Sequence, residues 1–444
     1  MRSTPRRAGR AASRGRRGAS SALLGALASL IAGCSGPAGS TAQQNPVAGA
    51  GALPPAVAAA QARGAPVDPL IVTADNAFGL SLIDALIPAN GGANICISPL
   101  SAAMALQVLY DGAQGGTEQA MARALQLGDR SAAAVNADNA ALEAALAEPD
   151  PRVALVVANS LWVDQSRYPV NPSFIETDQA YYGAQLGDLA GAPANVNAWA
   201  DAETHGLIPQ ILPPDLPPSA FRAAIIANTL YFKGQWATAF DSSQTVSGEF
   251  TLSDGSLVSA DLMHQSATLP YLEGTFQGSP FQAVRLPYGK GRLSMLIVLP
   301  QAGAPMGSFV AAITLDDLRQ WNAALEPAAI SIALPRFTAS FSRDLAAALT
   351  ALGMGVAFDP LAADFAALAP GSYVSHVWHS TVVEVGESGT TAAAGTGVTI
   401  TTTVVGPAPT MSMDHPFFYA IEDDTTGELL FVGILMDPGQ AGSS

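Results

Sequence analysis

Between Ser388 and Met413 the chain carries no charged residue, and between Glu387 and Gly406 it carries no proline. A central β-strand requires both absences. Proline removes a donor from the hydrogen-bond ladder, and a charge brought into a core is costly. The same stretch alternates. Thr390, Ala392, Ala394, Thr396, Val398 and Ile400 fall on one side of a strand and grow from small to β-branched, as a core-facing row does. The other side, Thr391, Ala393, Gly395, Gly397, Thr399 and Thr401, is small enough to slide beneath a covering helix. A fold that holds this segment has to offer it a place inside a sheet.

The rest of the 444-residue chain has the material for such a sheet. Hydrophobic residues make up 49% and charged residues 13%, about half the usual share of charge. The apolar residues come in short runs broken by Gly or Pro, so no membrane-spanning helix is predicted after the N-terminal region. The net charge of −16 conceals a split: residues 1–33 carry seven Arg and no acid, leaving thirteen basic against thirty-six acidic side chains. An acidic, Lys-poor body excludes nucleic acid as a partner, because phosphates need basic patches. The five histidines show no metal-ligand spacing, and neither a metal nor a cofactor is expected.

The N-terminus reads as an address. Arg2 to Arg17 form a basic region and Ala22 to Ile31 a short apolar one, a secretory signal too short to be a stable span. It ends Ile31-Ala32-Gly33-Cys34, which resembles a bacterial lipobox. The resemblance implies cleavage after residue 33, lipid on the Cys34 thiol and an extracytoplasmic protein anchored to a bacterial membrane, at the outer membrane or cell surface. Residues 34–69, rich in Ala, Gly, Pro, Ser and Gln, are expected to be a flexible tether. With Cys34 so used, Cys96 between Ile95 and Ile97 has no partner, which predicts a buried, inert thiol and no disulfide framework.

Residues 70–440 read as a single mixed domain without repeats. Ser98-Pro99 predicts a helix start, with Ala103, Leu106 and Leu109 on one stripe. Ser294–Leu299 predicts a buried strand, Ile330–Phe337 an alternating one, and Leu345–Leu352 a helix closed by Gly353. Several blocks in this body then occur together: Asn94–Ser101 (NICISPLS) before Thr117-Glu118; Asn159-Ser160-Leu161-Trp162; Asn197-Ala198-Trp199; and Ala227–Trp236 (ANTLYFKGQW). Leu286-Pro287-Tyr288, Leu334-Pro335-Arg336-Phe337, Leu352-Gly353-Met354 and Met411–Ile421 (MSMDHPFFYAI) follow in order. Taken together, this set resembles the serpin family of serine protease inhibitors.

That resemblance implies an α/β (α+β) fold of three β-sheets with eight or nine helices and an exposed reactive loop at about 387–413. It implies that Ser98, Ser101, Asn228 and His379 form a polar cluster where strands part to admit the loop. Glu387, Gly389, Thr390, Ala392, Ala393 and Ala394 match the hinge of inhibitory members, with Thr391, Gly395 and Gly397 as departures. Counting forward from Glu387 places the scissile bond at Thr403-Val404, while counting back from Pro416 gives Val405. The small, β-branched candidates suit an elastase-like or subtilisin-like pocket. The expected activity is a suicide-substrate inhibitor, monomeric and not an enzyme; the alternative is a non-inhibitory member acting as a binding protein. A hydrolase reading fails, because in Gly386-Glu387-Ser388-Gly389 the second glycine falls one place early for a nucleophile elbow.

Overall fold

The computed structural model describes residues 53–440, apart from 148–149, 151, 218–221 and 391–407. Two hydrogen-bonded sheets organise it. The smaller runs in the order Phe337–Asp344, Val374–Gly386, Ala224–Gly234, Val153–Val163 and Gln185–Asp188, with the two-residue strand Gly389–Thr390 paired to Val374–Gly386. Its central pair, Ala224–Gly234 and Val374–Gly386, is parallel, whereas the outer partners of both are mostly antiparallel. The sequence AIIANTLYFKG is buried along almost its whole length, as a strand covered on both faces should be.

The larger sheet has nine strands. The three sheets expected from the sequence resolve into two hydrogen-bonded groups, because the twenty-residue strand Leu257–Phe276 pairs with different neighbours along its length and so joins two groups into one. The expected strand at 330–337 likewise divides. Glu326–Pro335 belongs to the large sheet and Phe337–Asp344 to the small one, with Arg336 at the corner. Ten α-helices lie among the described residues, the last only four residues long.

Local signals explain the helix ends that matter for the sheet. Pro99–Gly112 begins with proline at its first position, and the Ser98 hydroxyl caps it by accepting from the Ser101 N–H at 3.1 Å. The helix at Ala346–Leu349 continues as a wider turn through Met354 and breaks at Gly353, whose φ of 96° suits glycine. The strand Leu293–Pro300 is buried at all eight positions.

One expectation is corrected. Residues 34–69 are not a tether throughout: Pro55–Arg63 is a helix, closed by Gly64 in the left-handed region. Its Val57 and Ala60, three residues apart on one stripe, are fully buried where it packs on the helices Ala132–Leu146 and Pro172–Tyr181. The alanine-rich composition read as low complexity is also strong helix-forming material. The helix Pro69–Leu86 with the turn to Ala89 is long and apolar enough to cross a membrane, although it carries Asp75 and Asp84. Much of that apolar surface is buried against the rest of the body.

Candidate functional site

The site forms where the parallel pair of strands separates. After an irregularity between Val374 and His376, Val374–Gly386 and Ala224–Gly234 stay in register up to Val382 and Tyr231. Beyond that point the chain turns at Glu387-Ser388, and Gly389–Thr390 runs back antiparallel to Val385 and Gly386. On its other side Gly389 bridges to Gln235, and the Trp236 N–H donates to the Ser388 carbonyl at 3.0 Å. The hinge therefore already contributes the first residues of a strand between the two.

Sequence dictates this start. Gly389 adopts φ 128°, and a Cβ there would lie 2.1 Å from the Gly234 oxygen, so glycine alone fits. Thr390 is 1% exposed, with its hydroxyl 3.1 Å from that of Tyr288. Tyr288 stacks on Trp236 at 4.3 Å between ring centroids, an arrangement contributing about 0.5–1.5 kcal/mol beyond its area. The Trp236 indole N–H donates to the Gly386 carbonyl at 2.9 Å, fixing that ring beside the turn.

Glu387 anchors the turn. Its Oε1 accepts from Thr245 Oγ1 at 2.6 Å and from Arg336 Nε at 2.8 Å, with Arg336 Nη2 closing a second bond. Burial pushes its pKa up, but the hydrogen bonds from Arg336 and Thr245 outweigh it and hold the carboxyl below its ordinary value. Arg336 owes its position to the corner between the two sheets.

The predicted polar residues lie midway along the same strands. His379, Asn228 and Asn159 sit opposite one another on three neighbouring strands. His379 Nε2 accepts the Ser98 N–H at 3.1 Å, so Nδ1 carries the proton and donates to Asn228 Oδ1 at 2.7 Å. The same Oδ1 accepts from Ser101 Oγ at 2.7 Å, and Asn228 Nδ2 donates to Asn159 Oδ1 at 2.5 Å. Ser98, Ser101, Asn228 and His379 are thus joined in one buried network, tied to the first turn of the helix Pro99–Gly112. Complete burial lowers the His379 pKa to about 3, which keeps the ring neutral.

Of the hinge residues, Glu387, Gly389 and Thr390 are in place. Ala392, Ala393 and Ala394 lie outside the described residues, as do Thr403, Val404, Val405 and Cys34. Sequence reasoning missed Asn159, Arg336, Thr245 and Tyr288 as functional groups. All but Thr245 stood inside the recognised blocks, where they served as markers of the fold. Cys96 is free and fully buried, its thiol pushed up to about 11 by that burial. Among the described residues no cluster of three or more His, Cys, Asp or Glu could hold a metal ion.

Residues 73–438 match the family model described as Serpin (serine protease inhibitor). Serpin B10 from Otolemur garnettii is 29% identical over 402 residues, spanning 84% of this chain and 100% of that protein. Leukocyte elastase inhibitor from Bos taurus is 30% identical over 379 residues, spanning 82% of this chain and 98% of that protein. A solved thyroxine-binding globulin complex with thyroxine has a TM-score of 0.75 at 26% identity, covering 83% of this chain and 99% of its own. By the family model matched over most of its length, this chain belongs to the serpin family and has the serpin fold.

Proposed function

We propose that the protein inhibits serine proteases as a suicide substrate, using the segment that follows Thr390 as an incoming strand. The observation that carries this reading is the seeded hinge: Gly389–Thr390 is already paired at the head of a parallel strand pair. A strand entering there runs antiparallel to both neighbours and replaces one parallel ladder by two antiparallel ones. Continuing the register of Val385 with Thr390 sets Ala392 opposite Val383, Ala394 opposite Thr381, Thr396 opposite His379 and Val398 opposite Val377. Those four partners are all buried, so the small-to-branched row meets the core-facing row of the neighbouring strand. The polar member of the incoming row, Thr396, arrives beside the polar cluster.

In the proposed reaction a protease serine oxygen attacks the Thr403 carbonyl. An ester forms, the Thr403-Val404 peptide bond breaks, and the Val404 amine leaves with the proton. Insertion then carries the acyl-enzyme about 40 Å along the sheet, at roughly 3.3 Å per residue. This chain supplies the bond and the strained sheet, and the protease supplies the catalysis. The uncharged loop and the elastase-inhibitor relatives both favour a shallow elastase-like or subtilisin-like pocket. Purified protein mixed with such proteases should give a complex stable to boiling in detergent, and mass spectrometry should find a C-terminal fragment beginning at Val404. Cleavage without complex would favour a binding protein instead, as thyroxine-binding globulin is named. Lipidation at Cys34, with the body held outside the cytoplasm on a bacterial membrane, completes the proposal. A Cys34→Ser protein that still fractionates with membranes would contradict the anchor.

A further inference from the structure

Behind the sheet, six side chains from three helices and the end of a fourth form one hydrogen-bonded chain, running from the buried carboxyl of Asp75 to the half-buried one of Asp111. Asp75, on the helix Pro69–Leu86, accepts from Gln107 Nε2 at 2.9 Å. Gln107 accepts from Asn139 Nδ2 at 2.8 Å, and the same amide donates to the Tyr182 hydroxyl oxygen at 3.1 Å. Tyr182 donates to Asn136 Oδ1 at 2.7 Å, and Asn136 donates to Asp111 Oδ1 at 2.9 Å. Asp75 meets a second acid at its inner end. Asn76 bonds to both Gly427 and Leu429, and so clamps the fully buried Glu428 beside it.

The arrangement is short of donors. Asp75 Oδ2, Asp178 Oδ1 and both Glu428 oxygens are buried without a hydrogen-bond partner. The nearby arginines are engaged elsewhere. Arg292 is held by Asp423, Arg285 by Glu422 and Asp424, and Arg130 by Asp68 and Asp138. Arg319, on the neighbouring helix Leu315–Ala324 with Asp316 and Asp317, donates to Thr73. The other acids whose charge reaches the network are Asp178 on Pro172–Tyr181, beside Asp111 and Tyr182, and Asp423 and Glu422, beside Glu428. On Val374–Gly386, the neutral His379 meets the first turn of Pro99–Gly112 through the Ser98 N–H. Carboxylates in such a place are stable only when protonated.

We infer that this network is a proton-loaded clamp on the helices behind the sheet, weakened as pH rises above the ordinary carboxyl range and fully released in the mildly alkaline range. Burial moves Asp75 up to about 8, Asp178 to about 7 and Asp111 to about 6. A carboxyl whose folded pKa is raised binds more protons folded than unfolded, so its contribution is complete below the ordinary carboxyl range and is lost as pH climbs to the raised value. The helix Pro99–Gly112 transmits the loss, because it carries Gln107 and Asp111 in the network and Ser98 and Ser101 beneath the strands. On the proposed insertion reading, pH therefore sets how firmly the sheet is held closed.

Calorimetry from pH 6.5 to 9 tests this, a range above that in which His379 contributes. The thermal midpoint should fall by several degrees and level off a little above pH 8. Asp75→Asn and Glu428→Gln should each flatten the slope and raise the midpoint at the alkaline end, while Glu249→Gln on an exposed strand should keep the parent slope. A flat parent profile, or full slope in both buried variants, overturns the clamp. Infrared spectroscopy needs no variant: the protonated-carboxyl band should be present at pH 6.5 and largely gone at pH 9. A spectrum unchanged between the two also overturns it.

Discussion

The helix Pro99–Gly112 carries a buried polar region at each end, and the two are finished differently. At its start, both His379 ring nitrogens, the Asn228 amide and the Ser98 and Ser101 hydroxyls all have partners. At its far end, the chain from Asp75 to Asp111 leaves oxygens of Asp75 and Asn139 without one, and both oxygens of the neighbouring Glu428 also lack one. Each such orphan costs about 1–3 kcal/mol. The contrast teaches what each region is for. Neutral groups with every bond made have no titration of their own near neutrality, and on the proposed reading they are what an incoming strand must part. Acids short of donors hold only while protonated.

The largest expected effect separates the two regions. Cutting the loop with a protease that is not trapped should raise the thermal midpoint by on the order of 10 °C or more, since a strand is gained and strain released. On the insertion reading, an incoming strand remakes the His379 end and leaves the Asp75 end untouched. The nicked protein should therefore keep its alkaline slope above pH 6.5. An unchanged midpoint would break the insertion reading, and a vanished slope would break the distinction between the regions.

Next in size is the hinge. Thr390 is already buried against Tyr288, so Thr390→Glu sets a carboxylate beside one hydroxyl in an apolar pocket. That costs at least about 3 kcal/mol. Covalent complex with a target protease should drop by about tenfold or more relative to cleaved product, as a delay of roughly 1.4 kcal/mol in the insertion step already gives. Equal yields of complex would sink the mechanism.

Within the satisfied cluster, Asn228→Ala removes the acceptor shared by Ser101 and His379 and the donor to Asn159. It should destabilise by about 3 kcal/mol in urea unfolding. The acid response should have the opposite sign to the clamp's. His379 is held neutral with its pKa lowered to about 3, so its contribution is full above the ordinary histidine value near 6.5 and is lost as pH falls from there toward 3. His379→Gln preserves an acceptor and a donor but not the titration. The stability difference between parent and variant should therefore shrink as pH falls from 7 to 4. A constant difference would mean that the ring does not titrate as its burial implies.

How much of this was legible in the sequence follows from how local each signal is. The cap at Ser98 was readable because capping acts within four residues, whereas the loop's strand-like composition falls on residues 391–407, outside the described ones. His379, Asn228, Ser98 and Ser101 came from the family resemblance, since nothing in their spacing brings residues 281 apart together. The acid network stayed invisible for the same reason. Asp75, Gln107, Asn139 and Asp111 look like ordinary polar positions on helices until packing turns them inward. The division of the chain at Arg336 also escaped notice, because period-two alternation runs through Pro335-Arg336-Phe337 although the strand changes sheets there.

The smallest effect tests where the hinge belongs in the comparison. The Glu387–Arg336 pair closes the turn before Gly389, yet Arg336 is 44% exposed on its side chain and the pair is partly screened. Such pairs contribute about 0–1 kcal/mol. Glu387→Gln keeps an acceptor for Thr245 and Arg336 and loses only the charge. It should lower the thermal midpoint by no more than about 2 °C. Here a folded-state pKa is lowered, so the contribution is present above the ordinary glutamate range and is lost as pH falls through the lowered value. Parent and variant should consequently differ at pH 7 and converge toward pH 3, and the alkaline slope should be the same in both. A variant that instead lost the alkaline slope would place the hinge under control of the acid network. A drop far beyond 2 °C would mean that the turn, rather than the cluster beneath the strands, is what keeps the sheet closed.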